Sequence, residues 1–489
     1  MKRMIRLVPA AGLVLAGILA SGSGSPAAAE IPPSGETRIV IFHSNDVHGK
    51  IENFAKVAAI LKKERASGAE VFYLCAGDNF TGNPVVDRFE PKGEPVLEIY
   101  NRLGLDALCL GNHEFDYGLD VLESFTARAR FPVVCANARD DSGVLPHLRS
   151  SVVLTGRKGT KIVLFGLIQI EAGNGLPSTL PERVAGLRFE EPFLKASELK
   201  DLRGDAPLFI GLTHLGLGQD RKLAEQMPGL DVIIGGHSHT RVDPAAAVNG
   251  VLVAQAGSDN RFLGRVDLVL RDGRVVEKKG RLIDLDREKK EDREIKRLIE
   301  GFNENPALAR VLASAPFDIT GKEALGSLMT DAWRRELGLD IAFQNNGGIR
   351  LRRLSRKITV KDVYALDPFE NQVVVMIMTT DEIRNLIRIS FEKGEGIDLQ
   401  VSGLVYTVRI DAERRVQDVQ LIGQDGRPLQ EDRTYKVGFS SYIPSAYDFA
   451  HRDPGKSLGI TTADALINYL EKRPRLSGYQ NVQRARIRH

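Results

Sequence analysis

The feature that most constrains this chain is a set of polar motifs that each follow a short apolar run. The stretch 111–116 reads GNHEFD and comes directly after the apolar residues 107–110. The other polar motifs that follow such runs are NDVHG (45–49), GDN (77–79), TH (213–214) and GGHSH (235–239). Short apolar runs that alternate with helical segments predict the buried strands of an α/β sheet. Because ligands bind beyond the carboxyl ends of such strands, the motifs predict one common site.

The side chains in these motifs are of the kinds that bind divalent metal ions. They combine carboxylate and amide oxygens with imidazole nitrogens and include no thiolate, which suits Zn, Mn, Fe or Co better than Ca or Mg. Two such ions about 3.5–4 Å apart can bind both the attacking and the leaving oxygen of a phosphoryl displacement. The candidate ligands for two divalent ions are Asp46, His48, Asp78, Asn112, His214, His237 and His239.

His113 and Asp116 are a further polar pair in the GNHEFD motif. A histidine oriented by a carboxylate three residues later could stabilise charge on a transferring phosphoryl group or protonate the leaving oxygen. A single histidine is more often a core or surface residue. Five of the nine histidines of this chain nevertheless fall in the motifs, and together with the aspartates and Asn112 they predict a metal-dependent active site.

Residues 1–29 have the pattern of a secretory signal peptide. Basic residues at 2, 3 and 6 precede an apolar stretch over 7–20 and a run of three alanines over 27–29, which is the order of charged start, apolar core and cleavage site. The core is shorter than the roughly 20 residues that span a bilayer, and a retained anchor is the alternative. No cysteine follows the core, which disfavours a lipid anchor. We therefore expect an exported protein, periplasmic or extracellular, without a stable membrane anchor after cleavage.

Charge and cysteine content narrow the class of protein further. Lys and Arg total 67 against 64 Asp and Glu, and cleavage after Ala29 would remove three of the basic residues. A formally neutral chain argues against nucleic acid or an anionic membrane as the main partner. Cys75, Cys109 and Cys135 lie at or near the ends of apolar runs, where we expect small buried side chains. A disulfide between Cys109 and either of the other two is the alternative.

The chain divides into two halves that are joined by a charged segment. From 37 to about 285, short apolar runs alternate with helical segments, whereas the second half mixes strand runs with an amphipathic helix around Trp333, a predicted core residue. The stretch 287–297 reads REKKEDREIKR, which predicts an interdomain helix or a surface helix of one domain. The predicted boundaries are a signal peptide over 1–29, an N-terminal domain over 30–286, a linker helix over 287–312 and a C-terminal domain over 313–489.

Two motifs of the second half have the chemistry of a substrate site. The stretch 345–350 reads NNGGIR, in which glycines let the backbone approach a ligand closely and Asn345 and Arg350 offer hydrogen-bonding groups. The stretch 367–369 reads DPF, and Phe369 offers an aromatic face on which a base could stack. Taken alone, these residues are more often a glycine turn and a buried phenylalanine.

The order NDxHG, GDN, GNHEFD, TH and GGHSHT resembles the calcineurin-like metallophosphoesterases. With KGEP at 92–95, the chain is similar to the secreted 5'-nucleotidase family within them. This resemblance implies an α/β fold, with an N-terminal four-layer α/β/β/α metallophosphoesterase domain and a smaller α+β C-terminal domain that binds the nucleoside.

The resemblance also implies roles for individual residues. One ion would be held by Asp46, His48 and His239, the other by Asn112, His214 and His237, with Asp78 as the bridging ligand. His113 and Asp116 would form the catalytic dyad. The implied substrate-binding residues are Asn345, Gly348, Arg350, Phe369, Tyr442 and Asp448.

The match to the family weakens toward the C-terminus. Where the family carries a GGDG-type loop, this chain reads YIPSAYDF over 442–449. Tyr442 and Asp448 keep the spacing of the second stacking aromatic and the acidic residue, but the glycines are absent. The stretch 320–323, TGKE, also lacks an arginine that the family often carries there. These departures predict a narrower or altered substrate pocket.

Residues and resemblance together predict an exported dimetal phosphomonoesterase that hydrolyses nucleoside 5'-phosphates to nucleoside and phosphate. The alternative on the same scaffold is a phosphodiesterase or a hydrolase of another anionic ester, such as a cyclic nucleotide or a thiosulfate ester. An alternative of another class is a catalytically silent nucleoside-binding protein. The expected partner is a small-molecule nucleotide, and the oligomeric state is left open.

Overall fold

The structure, a computed structural model, describes residues 36–394, 396–480 and 482–489. The predicted signal peptide over 1–29 lies outside the described residues. Among the helices of the described ranges, none is both long and apolar enough to cross a membrane.

The N-terminal half is built from two sheets and the helices that cover them. Its strands are β1 (Glu36–Ser44), β2 (Glu70–Cys75), β3 (Ala107–Cys109), β4 (Val133–Val134), β5 (Ala138–Arg139), β6 (Leu148–Arg149), β7 (Ser151–Thr155), β8 (Lys161–Ile168), β9 (Arg188–Phe189), β10 (Leu208–His214), β11 (Val232–Ile234), β12 (Ala246–Val248), β13 (Val251–Ala254), β14 (Phe262–Arg271) and β15 (Arg274–Asp284). Its α-helices are α1 (Phe54–Arg65), α2 (Pro84–Asp87), α3 (Glu94–Leu103), α4 (Leu119–Arg128), α5 (Pro192–Glu198) and α6 (Leu217–Gln226).

The two sheets pack face to face. Their strand orders are β15-β14-β1-β2-β3-β4-β6 and β12-β13-β11-β10-β8-β7. Side chains alternate along each strand, so Ile39 and Ile41 of β1 lie in the apolar layer between the sheets, whereas Val40 and Phe42 pack in the cluster that contains α1 and α3. The apolar side chains of α5 and α6 cover the outer face of the second sheet. These layers confirm the predicted four-layer α/β/β/α fold.

The C-terminal half is smaller and mixed. Its helices are α7 (Arg293–Asn303), α8 (Pro306–Ala309), α9 (Lys322–Glu336), α10 (Val360–Leu366), α11 (Thr380–Gly394), α12 (Tyr442–Ala446) and α13 (Thr462–Glu471). Its strands are β16 (Val311–Ser314), β17 (Ile319–Thr320), β18 (Ile341–Asn345), β19 (Arg353–Leu354), β20 (Lys357–Thr359), β21 (Gln372–Thr379), β22 (Leu399–Ser402), β23 (Leu404–Ile410), β24 (Val416–Gly423), β25 (Thr434–Ser440), β26 (Lys456–Thr461) and β27 (Ala485–Arg488).

A five-stranded sheet, β22-β18-β25-β21-β26, organises the C-terminal half. Apolar residues of α9 and α13 pack in one cluster, and those of α11 and the β24-β23-β27 sheet pack in another on β18 and β21. Trp333 of α9 is fully buried and its indole Nε1 donates to the carbonyl of Thr462, 2.9 Å away. Its prediction as a core residue is confirmed.

The charged segment between the halves forms a shorter helix than predicted. α7 begins only at Arg293, because the Asp292 carboxylate accepts hydrogen bonds from the N–H groups of Glu294 and Ile295 and so caps the helix. Ile295 and Ile299 are buried, and α7 packs on α1 and α3 of the N-terminal half. The three cysteines are buried and free, as expected for small core side chains.

Candidate active site

Parallel pairing brings the five polar motifs to the same region. β1, β2 and β3 are parallel neighbours in the first sheet, and β10 and β11 are parallel neighbours in the second. Each of these strands is followed by one motif, except that Thr213 and His214 are the last two residues of β10. Because the sheets pack face to face, their carboxyl ends place the motif side chains in a single cluster, as the sequence predicts.

Two groups of ligand atoms lie within this cluster, and each group fits within 4.8 Å. The first group contains Asp46, His48, Asp78 and His239, and the second contains Asp78, His214 and His237. Asp78 is common to both. The Nδ1 atom of His237 also lies 3.1 Å from the Oδ1 atom of Asn112, so the amide belongs to the second group.

The imidazole nitrogens of this cluster face each other and face carboxylates. The Nδ1 atoms of His48 and His214 lie 3.1 Å and 2.7 Å from the carbonyls of Thr81 and Ala76, which makes each Nδ1 the protonated nitrogen. The bare Nε2 of His48 then lies 3.0 Å from His239 Nε2. The Nε2 atom of His214 lies 3.0 Å from Asp78 Oδ2, a carboxylate oxygen that favours a proton or a metal cation on this nitrogen. Nitrogen and oxygen lone pairs that converge in this way repel each other unless a proton or a metal cation lies among them. The donor set therefore fits divalent metal ions.

The backbone of the ligand loops is held in an unusual conformation. Positive φ angles occur at Asp46 (51°), His48 (48°), Asp78 (57°), His237 (76°) and His239 (54°). Non-glycine residues adopt this region infrequently, and such strain persists where the surrounding structure fixes the residue. The loops are therefore shaped to aim these five side chains inward.

Two glycines of the motifs allow the loops to approach closely. A Cβ atom at Gly111 would lie 2.2 Å from Asp78 Oδ1, and one at Gly236 would lie 2.6 Å from the Ala76 carbonyl and 2.7 Å from His214 Nδ1. Any side chain at either position would displace a ligand. The glycines in GNHE and GGH are thus required by the packing of the site.

Glu114 is a buried residue of this site that the sequence reading missed. Its carboxylate accepts hydrogen bonds from the backbone N–H groups of Asp78 (2.8 Å), Asn79 (2.6 Å) and Gly111 (2.6 Å). It thereby ties the GDN loop to the GNHE loop. A charged residue placed between His113 and the buried Phe115 was the sequence signal that could have identified it.

The charges of the cluster strongly perturb its titratable groups. Burial disfavours the charged form of His214, but the neighbouring Asp78 and Asp46 carboxylates outweigh it and raise the pKa of His214 to about 10. Burial opposes ionisation of Asp78, yet His214 and His113 hold its pKa well below the usual value. Burial and the charge of His214 lower the pKa of His237 to about 4. Closely spaced titratable groups whose pKa values are shifted in opposite directions are typical of a functional site.

His113 and Asp116 form the expected pair beside the metal cluster. His113 Nδ1 lies 2.7 Å from Asp116 Oδ2, and His113 Nε2 lies 4.0 Å from Asp78 Oδ2. Burial favours the neutral imidazole, but the carboxylates of Asp116 and Asp78 raise the pKa of His113 above its ordinary value. A histidine held at Nδ1 in this way presents Nε2 to a substrate.

A loop of the N-terminal domain orients Asn112. The Asn112 Nδ2 atom donates to the Ser178 carbonyl, 3.1 Å away, which leaves the amide oxygen directed at His237 and the metal cluster. Ser178, Thr179, Leu180 and Arg183 of this loop also line the neighbouring cleft.

A cleft of about 270 Å³ lies over the cluster and is lined by both domains. The predicted residues Asp78, Asn112, His113, Asp116, His237 and His239 line it from the N-terminal domain, and Asn345, Gly348, Arg350, Phe369 and Tyr442 line it from the C-terminal domain. The Phe369 ring stacks on the His113 ring, with centroids 5.8 Å apart and planes at 25°.

Asp448 is the predicted substrate residue that the structure does not bring into the cleft. Tyr442 begins the short helix α12, which replaces the glycine-rich loop of the family. After this helix, Tyr447 turns inward and its hydroxyl donates to the Asp398 carboxylate, whereas Asp448 is exposed. The prediction for Asp448 relied on sequence spacing, and the helix changes the direction in which that residue points.

Lys322 is a second residue whose role was not foreseen. It lies in the stretch where the family often carries an arginine, and its Nζ atom donates to the carbonyls of Asn346 (2.7 Å) and Ile349. Burial and the nearby cations Arg350 and Arg352 lower the pKa of Lys322 to about 8. Lys322 therefore holds the turn that presents Asn345 and Gly348 to the cleft.

Sequence comparison matches two known domain families in this order. Residues 39–241 match the calcineurin-like phosphoesterases, and residues 307–449 match the 5'-nucleotidase C-terminal domain. This chain joins a metallophosphoesterase domain to a 5'-nucleotidase C-terminal domain. The resemblance seen in the motifs is confirmed, and the matched catalytic domain together with the ligand cluster makes the chain a metal-dependent phosphoester hydrolase.

Individual relatives agree with the domain matches. A 5'-nucleotidase of Vibrio vulnificus is 26% identical over 89% of this chain and 90% of its own length. A trifunctional nucleotide phosphoesterase of Bacillus subtilis is 27% identical over 90% of this chain, which spans only 34% of that longer protein. The crystal structure of a 5'-nucleotidase precursor from Thermus thermophilus superposes with a TM-score of 0.78 at 26% identity, covering 92% of this chain and 99% of that one.

Proposed function

We propose that this metallophosphoesterase hydrolyses nucleoside 5'-phosphates to nucleoside and phosphate. The observation that carries the proposal is the shared cleft, in which the metal-ligand cluster and the nucleoside-binding candidates of the C-terminal domain face each other. The stacking of Phe369 on His113 measures how close the two sides are. The 5'-nucleotidases among the relatives support the same reaction.

In this proposal, Asp46, His48 and His239 hold one divalent ion, Asn112, His214 and His237 hold the other, and Asp78 is shared. Bound ions of this kind, whether Zn, Mn, Fe or Co, supply positive charge for the oxygens of the phosphoryl group. His113 directs Nε2 into the cleft while Asp116 holds Nδ1. In its protonated form, His113 stabilises charge on the phosphoryl group or gives a proton to the leaving 5'-oxygen.

The C-terminal domain is proposed to bind the nucleoside. Phe369 and Tyr442 offer aromatic faces to a base, and the buried Oδ1 atom of Asn345 has no hydrogen-bond partner within the described ranges. An unpaired buried acceptor is costly, so a donor on the ligand fits there. The Arg350 guanidinium lies 5.5 Å from the centroid of the Phe369 ring and offers a positive charge to an anionic substrate. A Cβ atom at Gly348 would lie 3.0 Å from Asn345 Oδ1, so glycine at this position leaves room around that acceptor.

We also propose that the chain is exported after cleavage of residues 1–29 and acts as an N-terminal catalytic domain (30–286), a linker segment (287–312) and a C-terminal substrate domain (313–489). The basic start and alanine run of the leader support export. Amino-terminal sequencing of the protein recovered outside the cytoplasm tests the cleavage. Recovery of the uncleaved chain from the cytoplasm alone would contradict it.

A substrate panel tests the proposed reaction. The purified chain, loaded in turn with Zn, Mn, Fe or Co, is assayed with nucleoside 5'- and 3'-monophosphates, a cyclic nucleotide, bis(4-nitrophenyl) phosphate and a thiosulfate ester. We expect the highest kcat/KM for a 5'-monophosphate, and no turnover in Asp78→Ala. A higher kcat/KM for the diester, the cyclic nucleotide or the thiosulfate ester would contradict the proposal, as would nucleoside binding without turnover.

A further inference from the structure

The two domains contact each other next to Phe369 through a compact group of charges. Glu370 directly follows Phe369, and its Oε1 atom lies 2.7 Å from Lys92 Nζ and 3.3 Å from Arg88 Nη1 of the N-terminal domain. All three side chains are less than one third exposed, at 28%, 20% and 28%. Partial burial shields these ion pairs from the solvent screening that weakens surface pairs.

The backbone of Glu370 is strained. Its φ angle is 55°, in a region that glycine and asparagine occupy far more readily than glutamate. Such a conformation persists when contacts around the residue fix it, and it is found preferentially at functional positions. The side chain of Glu370 forms ion pairs to the other domain that a glycine, which would suit this backbone better, could not form.

The N-terminal segment that holds Glu370 also contacts the dyad region. Lys92 Nζ lies 5.0 Å from the centroid of the Tyr117 ring, and Tyr117 directly follows Asp116. The Tyr117 hydroxyl donates to Asp87 Oδ1 at 2.5 Å, and Asp87 closes the helix α2 just before Arg88. A single segment, 87–92, therefore touches the loop of the dyad on one side and the carboxylate next to Phe369 on the other.

Arg88 extends the same contact into the C-terminal domain. Its guanidinium carbon lies 3.8 Å from the centroid of the Tyr364 ring in α10, a distance at which a cation is attracted to the aromatic face. Phe89 packs edge-on against Phe302 of the linker helix α7, with centroids 5.2 Å apart. The ion pairs of Glu370 and the contact between Arg88 and Tyr364 thus join the same N-terminal segment to the C-terminal domain.

We propose that Glu370 is a positioning residue for nucleotide hydrolysis. Its ion pairs to Lys92 and Arg88 fix the loop that carries Phe369, so that a base stacked on Phe369 places its 5'-phosphate at the metal cluster. This role rests on the proposed nucleotidase function. A small phosphate ester that does not use Phe369 has no need of Glu370, so the two kinds of substrate respond differently to its loss.

The test compares kcat and KM of Glu370→Gln and the unaltered full chain for a nucleoside 5'-monophosphate and for 4-nitrophenyl phosphate. We expect kcat/KM for the nucleotide to fall about tenfold, the scale of a partly buried charge pair, and that for the aryl phosphate to stay within about twofold. Glu94→Gln is the matched control, because Glu94 pairs with Arg128 inside the N-terminal domain at 2.5 Å. It should leave both substrates unaffected.

Two further variants separate positioning from stability. The double variant Lys92→Met/Glu370→Gln should lower kcat/KM for the nucleotide by less than the product of the two single-variant factors, because both substitutions remove the same ion pair. Glu370→Gly removes the ion pairs and the backbone strain together, so its Tm should not fall below that of Glu370→Gln while its nucleotide kcat/KM is equally reduced.

If Glu370→Gln lowers kcat/KM equally for the nucleotide and the aryl phosphate, or leaves both values unchanged, the proposed role of Glu370 is wrong. The nucleotidase proposal would still stand. If the unaltered chain hydrolyses the aryl phosphate but not the nucleotide, the proposed function fails, and the role of Glu370 fails with it.

Discussion

The two walls of the cleft are built in different ways. On the N-terminal side, ligands follow strand ends directly, their backbones are held at positive φ, and buried groups such as the Glu114 carboxylate tie one loop to the next. On the C-terminal side, the candidate residues come from a turn, a loop and a short helix, and they face the metal cluster from a second domain. The ligand groups are therefore fixed within one domain, whereas substrate selection depends on how two domains are brought together.

The largest effect should come from the residue shared by both ligand groups. Asp78→Ala removes the carboxylate that lies 3.0 Å from His214 Nε2 and also accepts the backbone N–H of His113 at 2.9 Å. We expect hydrolysis of nucleotides and aryl phosphates to be abolished alike, and the metal content measured by elemental analysis to fall. Full activity with two ions still bound would contradict the shared-ligand assignment.

The dyad should matter for turnover but not for metal binding. His113→Ala is expected to lower kcat by roughly two to four decades for both substrates, the scale of general acid–base catalysis, with metal content nearly intact. Asp116→Asn should cause a smaller loss, because it removes only the partner at Nδ1. Loss of the ions from His113→Ala would instead identify His113 as a ligand.

Glu114 tests whether the N-terminal wall depends on its buried anchor. Glu114→Gln replaces an acceptor of several N–H bonds by an amide that accepts through one oxygen, so the GDN and GNHE loops should separate. We expect a loss of about 10–100-fold in metal affinity or activity, as for other residues that support a metal ligand. Asp120→Asn, an exposed change a few residues away, is the control. Equal behaviour of the two variants would show that the anchor is dispensable.

The smallest expected effect is on the pH dependence of the free energy of unfolding, to which Lys322 on the C-terminal side of the cleft contributes. The pKa of Lys322 is about 8 in the folded chain against an ordinary 10.5, so between these values the unfolded chain binds more protons. The contribution of Lys322 to the free energy of unfolding therefore rises with pH across this window and is lost as pH falls through 8. Lys322→Met should flatten that rise, by less than about 1 kcal/mol given partial exposure. Denaturant titrations at pH 7.5 and 10 measure it, and identical slopes in both proteins would contradict it.

The same difference between the walls explains what could be predicted from sequence. Strand-then-ligand motifs are local, and parallel pairing brings their ends together, so the ligand cluster around Asp78 and the α/β class of its domain follow from the residues. The four-layer arrangement was implied by the family resemblance. Asp448 was placed by spacing along the chain, and the helix α12 removed the basis of that prediction. Glu370 depends on a contact between domains that no local pattern encodes.

The measurement that tests the central claim most directly is the substrate ratio of Phe369→Ala. Phe369 belongs to the C-terminal domain and lies next to the dyad, since its ring stacks on His113. Phe317→Ala, an exposed aromatic change outside the cleft, is its control. Base–aromatic stacking is worth about 1–3 kcal/mol, so kcat/KM for a nucleoside 5'-monophosphate should fall by roughly one to two decades. Turnover of 4-nitrophenyl phosphate should be nearly unchanged. If Phe369→Ala lowers kcat/KM equally for both substrates, or leaves both values unchanged, the account is wrong in assigning the chemistry to the N-terminal domain and nucleotide selection to the C-terminal domain.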